Sequence, residues 1–139
     1  MYDIETLIPH RGHMRLVDEI LEFGDDGCVT AAVVKPYWPL CEEGRVSQIV
    51  LIELVAQSVG MHFALEDKPK SVSSEERPGW LVGVKKAVFS GEGPTVGERI
   101  IVSTSTMKRE LTYVEVRGIA RIGSAIAGEV LLQVFRPEE

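Results

Sequence analysis

The sequence predicts an α+β fold, a curved antiparallel sheet wrapped around one long central helix. Two observations carry that expectation. The segment Val46 to Leu65 is apolar almost all the way round and too long for a strand, so it reads as a buried helix. After it, strand-like segments follow one another with turn chemistry between them. At 139 residues, 45% of them hydrophobic, the chain is long enough for one domain with a real core, and residues 1–139 read as a single domain.

The elements follow in order. Ile4 to Leu7 reads as a short helical or turn segment stopped by Pro9. Met14 to Phe23 mixes apolar and charged residues, Gly24-Asp25-Asp26-Gly27 is a turn signal, and Cys28 to Val34 is rich in β-branched residues. Together they predict a hairpin. A loop holding Pro36, Pro39 and Gly44 leads to the helix, with Ser47 as its N-cap. Glu66 to Pro78 is charged and bounded by prolines, and reads as a solvated loop. Trp80 to Phe89, Glu98 to Met107, Leu111 to Ile122 and Ala125 to Phe135 then predict a four-stranded antiparallel meander.

Composition narrows the function. A formal net charge of −6 and a pI near 5.1 argue against a nucleic-acid footprint. No apolar run reaches the ~18 residues of a membrane span. Met1 to Ile8 lacks the basic-then-apolar layout of a secretory signal. Cys28 and Cys41 form neither a metal-ligand spacing nor a disulfide framework, so they read as free thiols in a reducing, cytoplasmic setting.

In a helix this apolar, the polar residues are the informative ones: Gln48, Glu53, Gln57, Ser58 and His62. Glu53 and Gln57 are one turn apart and share a face, whereas Ser58 and His62 form a second pair on another face. A carboxyl here is costly as a bare anion, which suits a general acid, or else a structural carboxylate paired with Arg11 or Arg45. The amides around Ser47 to Val50 lie at the positive end of the helix dipole, suited to polarising a thioester carbonyl. His10 and His13 flank Arg11-Gly12 in a turn after Pro9, and with no third ligand nearby they make a weak case for a metal.

These residues carry a resemblance. Leu7-Ile-Pro-His-Arg-Gly-His-Met-Arg-Leu-Val-Asp18 resembles the opening motif of the 3-hydroxyacyl-carrier-protein dehydratases, and Ile52-Glu-Leu-Val-Ala-Gln57 with Gly60 resembles their central helix. Trp80 to Phe89, the Val96-Gly97-Glu98 turn and Ala127-Gly-Glu-Val-Leu131 also match, so the resemblance covers essentially the whole chain. It implies a hotdog fold, dimers with acyl tunnels and active sites at the subunit interface, and loss of water from a 3-hydroxyacyl thioester to give the trans-2-enoyl product. Glu53 takes the place of the central-helix carboxylate that handles the departing hydroxyl, and amides near Gln48 take that of the carbonyl-binding donors. Ser47, Gln48 and Gln57 are thereby the expected substrate-binding residues. Neither a metal nor an organic cofactor is implied, since the elimination needs only acid and base.

One departure is large. The family's catalytic histidine lies in a Gly-His-Phe-Pro segment ahead of the helix, and the matching stretch here is Tyr37-Trp-Pro-Leu-Cys41, with no histidine. Ser47-Gln48 also stands where the family has Pro-Gly. In this the chain is similar to a divergent branch of dehydratases found with aryl-polyene-type lipid pathways, which implies a dehydratase-like chain partnering a complete one.

Three readings follow. The first is a dehydratase acting on acyl carrier protein (or coenzyme A) thioesters, with Glu53 as acid and His10 or His13 as base. The second is a hotdog thioesterase in which Glu53 activates water. The third is a silent subunit that completes a partner's site in a heterodimer, rather than working in a homodimer. A carrier's acidic surface would meet Lys85, Lys86, Lys108 or Arg109, unless these are solvated strand ends.

Overall fold

The computed structural model describes residues 3–8, 12–67 and 81–135. A 3-10 turn at Ile4–Thr6 opens the chain and a second at Gly12–Met14 follows. Strands β1 (Glu19–Phe23) and β2 (Cys28–Val33) form the expected hairpin. A two-strand ribbon, β3 (Cys41–Glu42) and β4 (Arg45–Val46), precedes helix α1 (Val50–Asp67). Strands β5 (Leu81–Phe89), β6 (Arg99–Arg109), β7 (Tyr113–Ile122) and β8 (Ala125–Phe135) complete the sheet. This is the hotdog architecture: one six-stranded antiparallel sheet, with α1 packed on the face formed by β2, β6, β7 and β8.

The order β1-β2-β6-β7-β8-β5 corrects the expected four-stranded meander. Strands β6, β7 and β8 do run consecutively, but β5 lies at the far edge beside β8, and β6 pairs with β2. The physical reason is the segment between β5 and β6. It is not a tight turn but a crossing loop held against β4 by a backbone and a side-chain donor. Val46 N donates to Pro94 O at 2.8 Å and Arg45 Nη1 to Gly93 O at 2.7 Å.

Helix α1 also begins later than the sequence reads, because Val46 belongs to β4. Ser47 still closes the first turn: its carbonyl accepts from Val50 N at 3.1 Å and its hydroxyl from Ile49 N at 3.4 Å. At the other end α1 runs on through Asp67, into the expected loop, while 68–80 lie outside the described residues.

The sheet-facing side of α1 is buried, with Leu51, Leu54, Val55, Met61 and Phe63 at 1% exposure or less. Gly118 sits under Val55 so closely that a Cβ there would lie 2.3 Å from Val55 Cγ1. We expect Gly118→Ala to cost about 1–3 kcal/mol by overpacking. Val55→Ala in the same chain should recover part of that loss. Urea unfolding of the two single variants and the double variant measures it, and strict additivity would contradict the contact.

One side of the helix is not buried, contrary to the all-round pattern. Ile49 is 53% exposed, and Ile52, Glu53, Ala56 and Gly60 are half-buried along the same stripe. Val82 and Val84 of β5 are in register with buried Val134 and Leu132, yet they are 50% and 48% exposed. The helix therefore covers β8 and leaves the inner face of β5 open.

Away from that stripe the second polar set proves structural. Ser58 Oγ donates to Leu54 O and shares a hydrogen bond with Thr30 Oγ1 at 2.8 Å. His62 Nε2 lies 2.8 Å from Gly24 O in the β1–β2 turn, its ring against Phe23 and Phe63. Cys28 and Cys41 are free thiols. Burial pushes the Cys28 thiol up to about 11 from 9.0, partly offset by the Thr104 hydroxyl. Between those values the unfolded chain releases a proton that the folded one keeps, so stability falls as pH rises through roughly 9 to 11. The loss should reach about 2–3 kcal/mol. Chemical unfolding across that range checks it, and Cys28→Ala should flatten the slope.

Candidate active site

Glu53 lies in the first turn of α1, half-buried on the open stripe, and its side chain is positioned by Gln57. Gln57 is 1% exposed and its amide is fully used. Nε2 donates to Glu53 Oε1 at 3.1 Å and to Met14 O at 2.8 Å, while Oε1 accepts from Leu16 N at 2.9 Å and Val17 N at 3.4 Å. One side chain thus straps the 14–17 segment across the helix and orients the carboxyl next to it. With those partners, Gln57 acts on the site through Glu53 and the strap.

The strap carries the histidine-bearing segment. The backbone of His13 lies in the Gly12–Met14 turn, directly before the carbonyl that Gln57 holds. Its side chain lies outside the described residues, as does all of His10 and Arg11. Arg45, the other expected partner of Glu53, reaches Glu92 Oε2 at 3.1 Å and Gly93 O instead.

The helix start supplies hydrogen-bond donors. Val50, Leu51 and Ile52 amides already donate to carbonyls three residues back, and Ile49 N donates to Ser47 Oγ. Ser47 N donates to Leu40 O at 3.1 Å, and the Ser47 side chain is exposed. The Gln48 amide has no partner among the described residues. Gln48 Nε2 donates to Gly91 O, which pins the crossing loop over that amide. Gly93 backs the same spot, where a Cβ would meet Val46 O at 1.8 Å and Gln48 N at 3.3 Å.

At the position of the family's histidine stands the loop before β3. Trp38 is buried, Tyr37 and Leu40 are exposed, and Leu40 adopts φ 57°. Among the described residues no three His, Cys, Asp or Glu side chains cluster as metal ligands would. An open cleft of about 500 Å3 lies behind the crossing loop, lined in part by Arg45, Glu92, Glu98 and Ile126. Glu53 is not on its wall, and the Thr95 amide and hydroxyl hold the Glu98 carboxyl below the usual range.

Of the cations expected to meet a carrier, Lys85 pairs with Glu115, Lys108 with Glu110, and Arg109 with Glu66. Lys108 and Arg109 stand at the end of β6, whereas Lys85 lies in the middle of β5. Among the described residues Lys86 has no such partner.

The sequence model of the ApeP-like dehydratases matches residues 2–139. The chain belongs to the ApeP-like dehydratase family. Membership makes it a dehydratase-type lyase by lineage. Curated relatives include the 3-hydroxyacyl-(acyl-carrier-protein) dehydratases FabZ of Streptococcus uberis, 29% identical over 138 residues, and of Streptococcus pyogenes, 28% identical. Each alignment covers 90% of this chain and 89% of the relative. Among solved structures, the dehydratase heterocomplex ApeI:P from Xenorhabdus doucetiae superposes with a TM-score of 0.81 at 15% identity, covering 100% of this ApeP-like chain and 93% of that one. A thioesterase-type protein with coenzyme A from Streptococcus pneumoniae superposes at 0.68 with 12% identity, covering 87% and 89%. At these identities the structural matches establish the fold alone.

Sequence reasoning missed the strap and the crossing loop. Their contributions come from main-chain atoms (the Met14 carbonyl, the Leu16 amide, the Gly91 carbonyl), whose partners no residue type announces.

Proposed function

We propose that this ApeP-like chain removes water from a 3-hydroxyacyl thioester carried on an acyl carrier protein, giving the trans-2-enoyl thioester. The observation that carries the reading is the Glu53 carboxyl, held at 3.1 Å by a saturated Gln57 on an otherwise apolar open stripe. In the proposed step a base takes the proton from the carbon next to the thioester carbonyl. Those electrons form the new double bond, and the hydroxyl on the next carbon departs as water with a proton from Glu53. The unpartnered Gln48 amide is the proposed donor to the carbonyl oxygen, where negative charge develops. His13 is the proposed base, with His10 as the alternative, because Gln57 ties His13's segment to the Glu53 face. The acyl chain is proposed to lie along Ile52, Ala56 and Gly60, facing the uncovered valines of β5. A polyketide or polyene chain in a cytoplasmic pathway is the proposed finer substrate.

A second reading has its own support. The structural relative from Xenorhabdus is a dehydratase heterocomplex, and this chain has Pro39 where the family's histidine is expected. In that reading a related hotdog subunit covers the open stripe and brings the base.

Mass spectrometry of a 3-hydroxyacyl chain on carrier protein, incubated with this chain alone, separates the possibilities. Loss of one water supports the dehydratase working by itself. Loss of water only when a related hotdog subunit is added supports the heterodimer. Release of free acid would replace both with a thioesterase.

A further inference from the structure

The crossing loop is tied down along its length. Ser90 N donates to Ala127 O at 3.0 Å, Arg45 Nη1 to Gly93 O at 2.7 Å, Val46 N to Pro94 O at 2.8 Å and Val96 N to Gly44 O at 2.9 Å. Arg45 Nη2 also reaches Glu92 Oε2 at 3.1 Å. At Gly91 the tie is of another kind. Among the described residues its carbonyl accepts only from Gln48 Nε2, a side chain reaching across from the helix start.

As a stabilising contact this one returns little. Gln48 is half-buried, so its carboxamide exchanges water for one hydrogen bond and loses rotamer freedom in doing so. The bonds at Ser90, Gly93, Pro94 and Val96 hold the loop without it. Its position sets it apart. The residue that holds Gly91 is the same residue whose main-chain N–H has no partner among the described residues. Gly93, two residues further along the loop, lies against that N–H, and a Cβ there would come within 3.3 Å of the nitrogen. The Gln48 side chain therefore fixes the stretch of main chain that walls its own free donor.

We propose that Gln48 is a positioning residue through its side chain: by holding Gly91 it fixes the wall beside the Gln48 amide, so that this amide meets the carbonyl oxygen of an acyl thioester in one geometry. The inference rests on the dehydratase reading above, in which that amide is the carbonyl donor, and it gives the side chain a task that reading leaves empty. A donor fixed before charge develops on the oxygen needs no reorganisation at the moment of reaction, whereas a donor beside a loose loop does.

The test is isothermal titration calorimetry of the full chain with one saturated acyl chain on pantetheine, joined through a thioester or through a thioether that lacks the carbonyl oxygen. The wild type should bind the thioester about three- to tenfold more tightly, the share of one hydrogen bond. Gln48→Ala removes the latch, and Gln48→Glu keeps its size but, ionised, cannot donate to Gly91 O. In both the ratio should fall below about twofold, while thioether affinity and the melting curve stay as in the wild type. Gln48→Met takes the place of Gln48→Ala if that variant melts early. A merely structural role would instead move the melting curve and both affinities together, and would overturn the proposal. So would a wild type that binds thioester and thioether equally or binds neither, or variants that keep the wild-type ratio. Turnover is read separately, and kcat should fall about tenfold or more with KM changed less than about threefold. Discrimination that depends on Gln48 in a chain that removes no water sinks the dehydratase reading alone. Water removal at the wild-type rate by Gln48→Ala sinks the positioning inference alone.

Discussion

Glu53→Gln should lower kcat by roughly 10²- to 10⁴-fold, the usual range for a positioned proton-transfer group, while leaving the fold intact. The substitution keeps the side chain's size and an acceptor oxygen for Gln57 Nε2, so the strap hydrogen bonds at Met14 and Leu16 remain available. What it removes is the proton. Gln57→Ala should act differently. It leaves the Leu16 and Val17 amides and the Met14 carbonyl without their buried partner. The expected cost is about 2–4 kcal/mol of stability, together with a fall in kcat as Glu53 loses its orienting hydrogen bond. In the double variant the kcat losses should be far from additive, since a carboxyl that is gone needs no orienting. Steady-state kinetics and urea unfolding of the three variants check this. Full additivity in kcat would show that Gln57 does not act through Glu53.

Gly93→Ala should be the most damaging methyl group that can be added near the site. A Cβ there would approach Val46 O at 1.8 Å and Val46 C at 3.0 Å, atoms of the main chain that no rotamer change can move aside. The Gly118 clash, by contrast, is with a valine side chain that can be trimmed. Relief at position 93 requires the crossing loop to leave the helix start. That breaks Val46 N to Pro94 O, Arg45 Nη1 to Gly93 O and the Gln48 bond to Gly91 O. We expect a loss of about 3 kcal/mol or more, a large share of the ~5–15 kcal/mol that holds a domain of this size together. Because the same loop frames the Gln48 amide, kcat should fall even where the variant is folded. Unfolding free energies within about 0.5 kcal/mol of wild type, from denaturant titration, would mean that the loop does not pack as described.

Periodicity made the helix and the β1–β2 hairpin legible, because an apolar run of that length and a Gly-Asp-Asp-Gly turn have few alternatives. The Glu53–Gln57 pair was legible for a related reason: residues one turn apart must share a face. The place of β5 was not. Ser90 to Glu98 has the glycines and proline of a hairpin turn, yet it is anchored to β4 and the helix start by backbone groups, and it carries the chain across to a different neighbour. The open stripe of α1 was hidden too. An all-round apolar helix reads as buried, and nothing in the sequence distinguishes burial under the chain's own sheet from an apolar face left uncovered at Ile49, Ile52 and Ala56.

The most direct test of the account runs the proposed reaction backwards. A trans-2-enoyl chain on carrier protein is incubated with the protein in 18O-labelled water and the carrier-bound product is analysed by mass spectrometry. Gain of one labelled water on the acyl chain, with the thioester intact and the reaction lost in Glu53→Gln, is the predicted result. Label appearing instead in a released carboxylic acid, or hydration that persists in Glu53→Gln, would contradict a water-eliminating site built on Glu53.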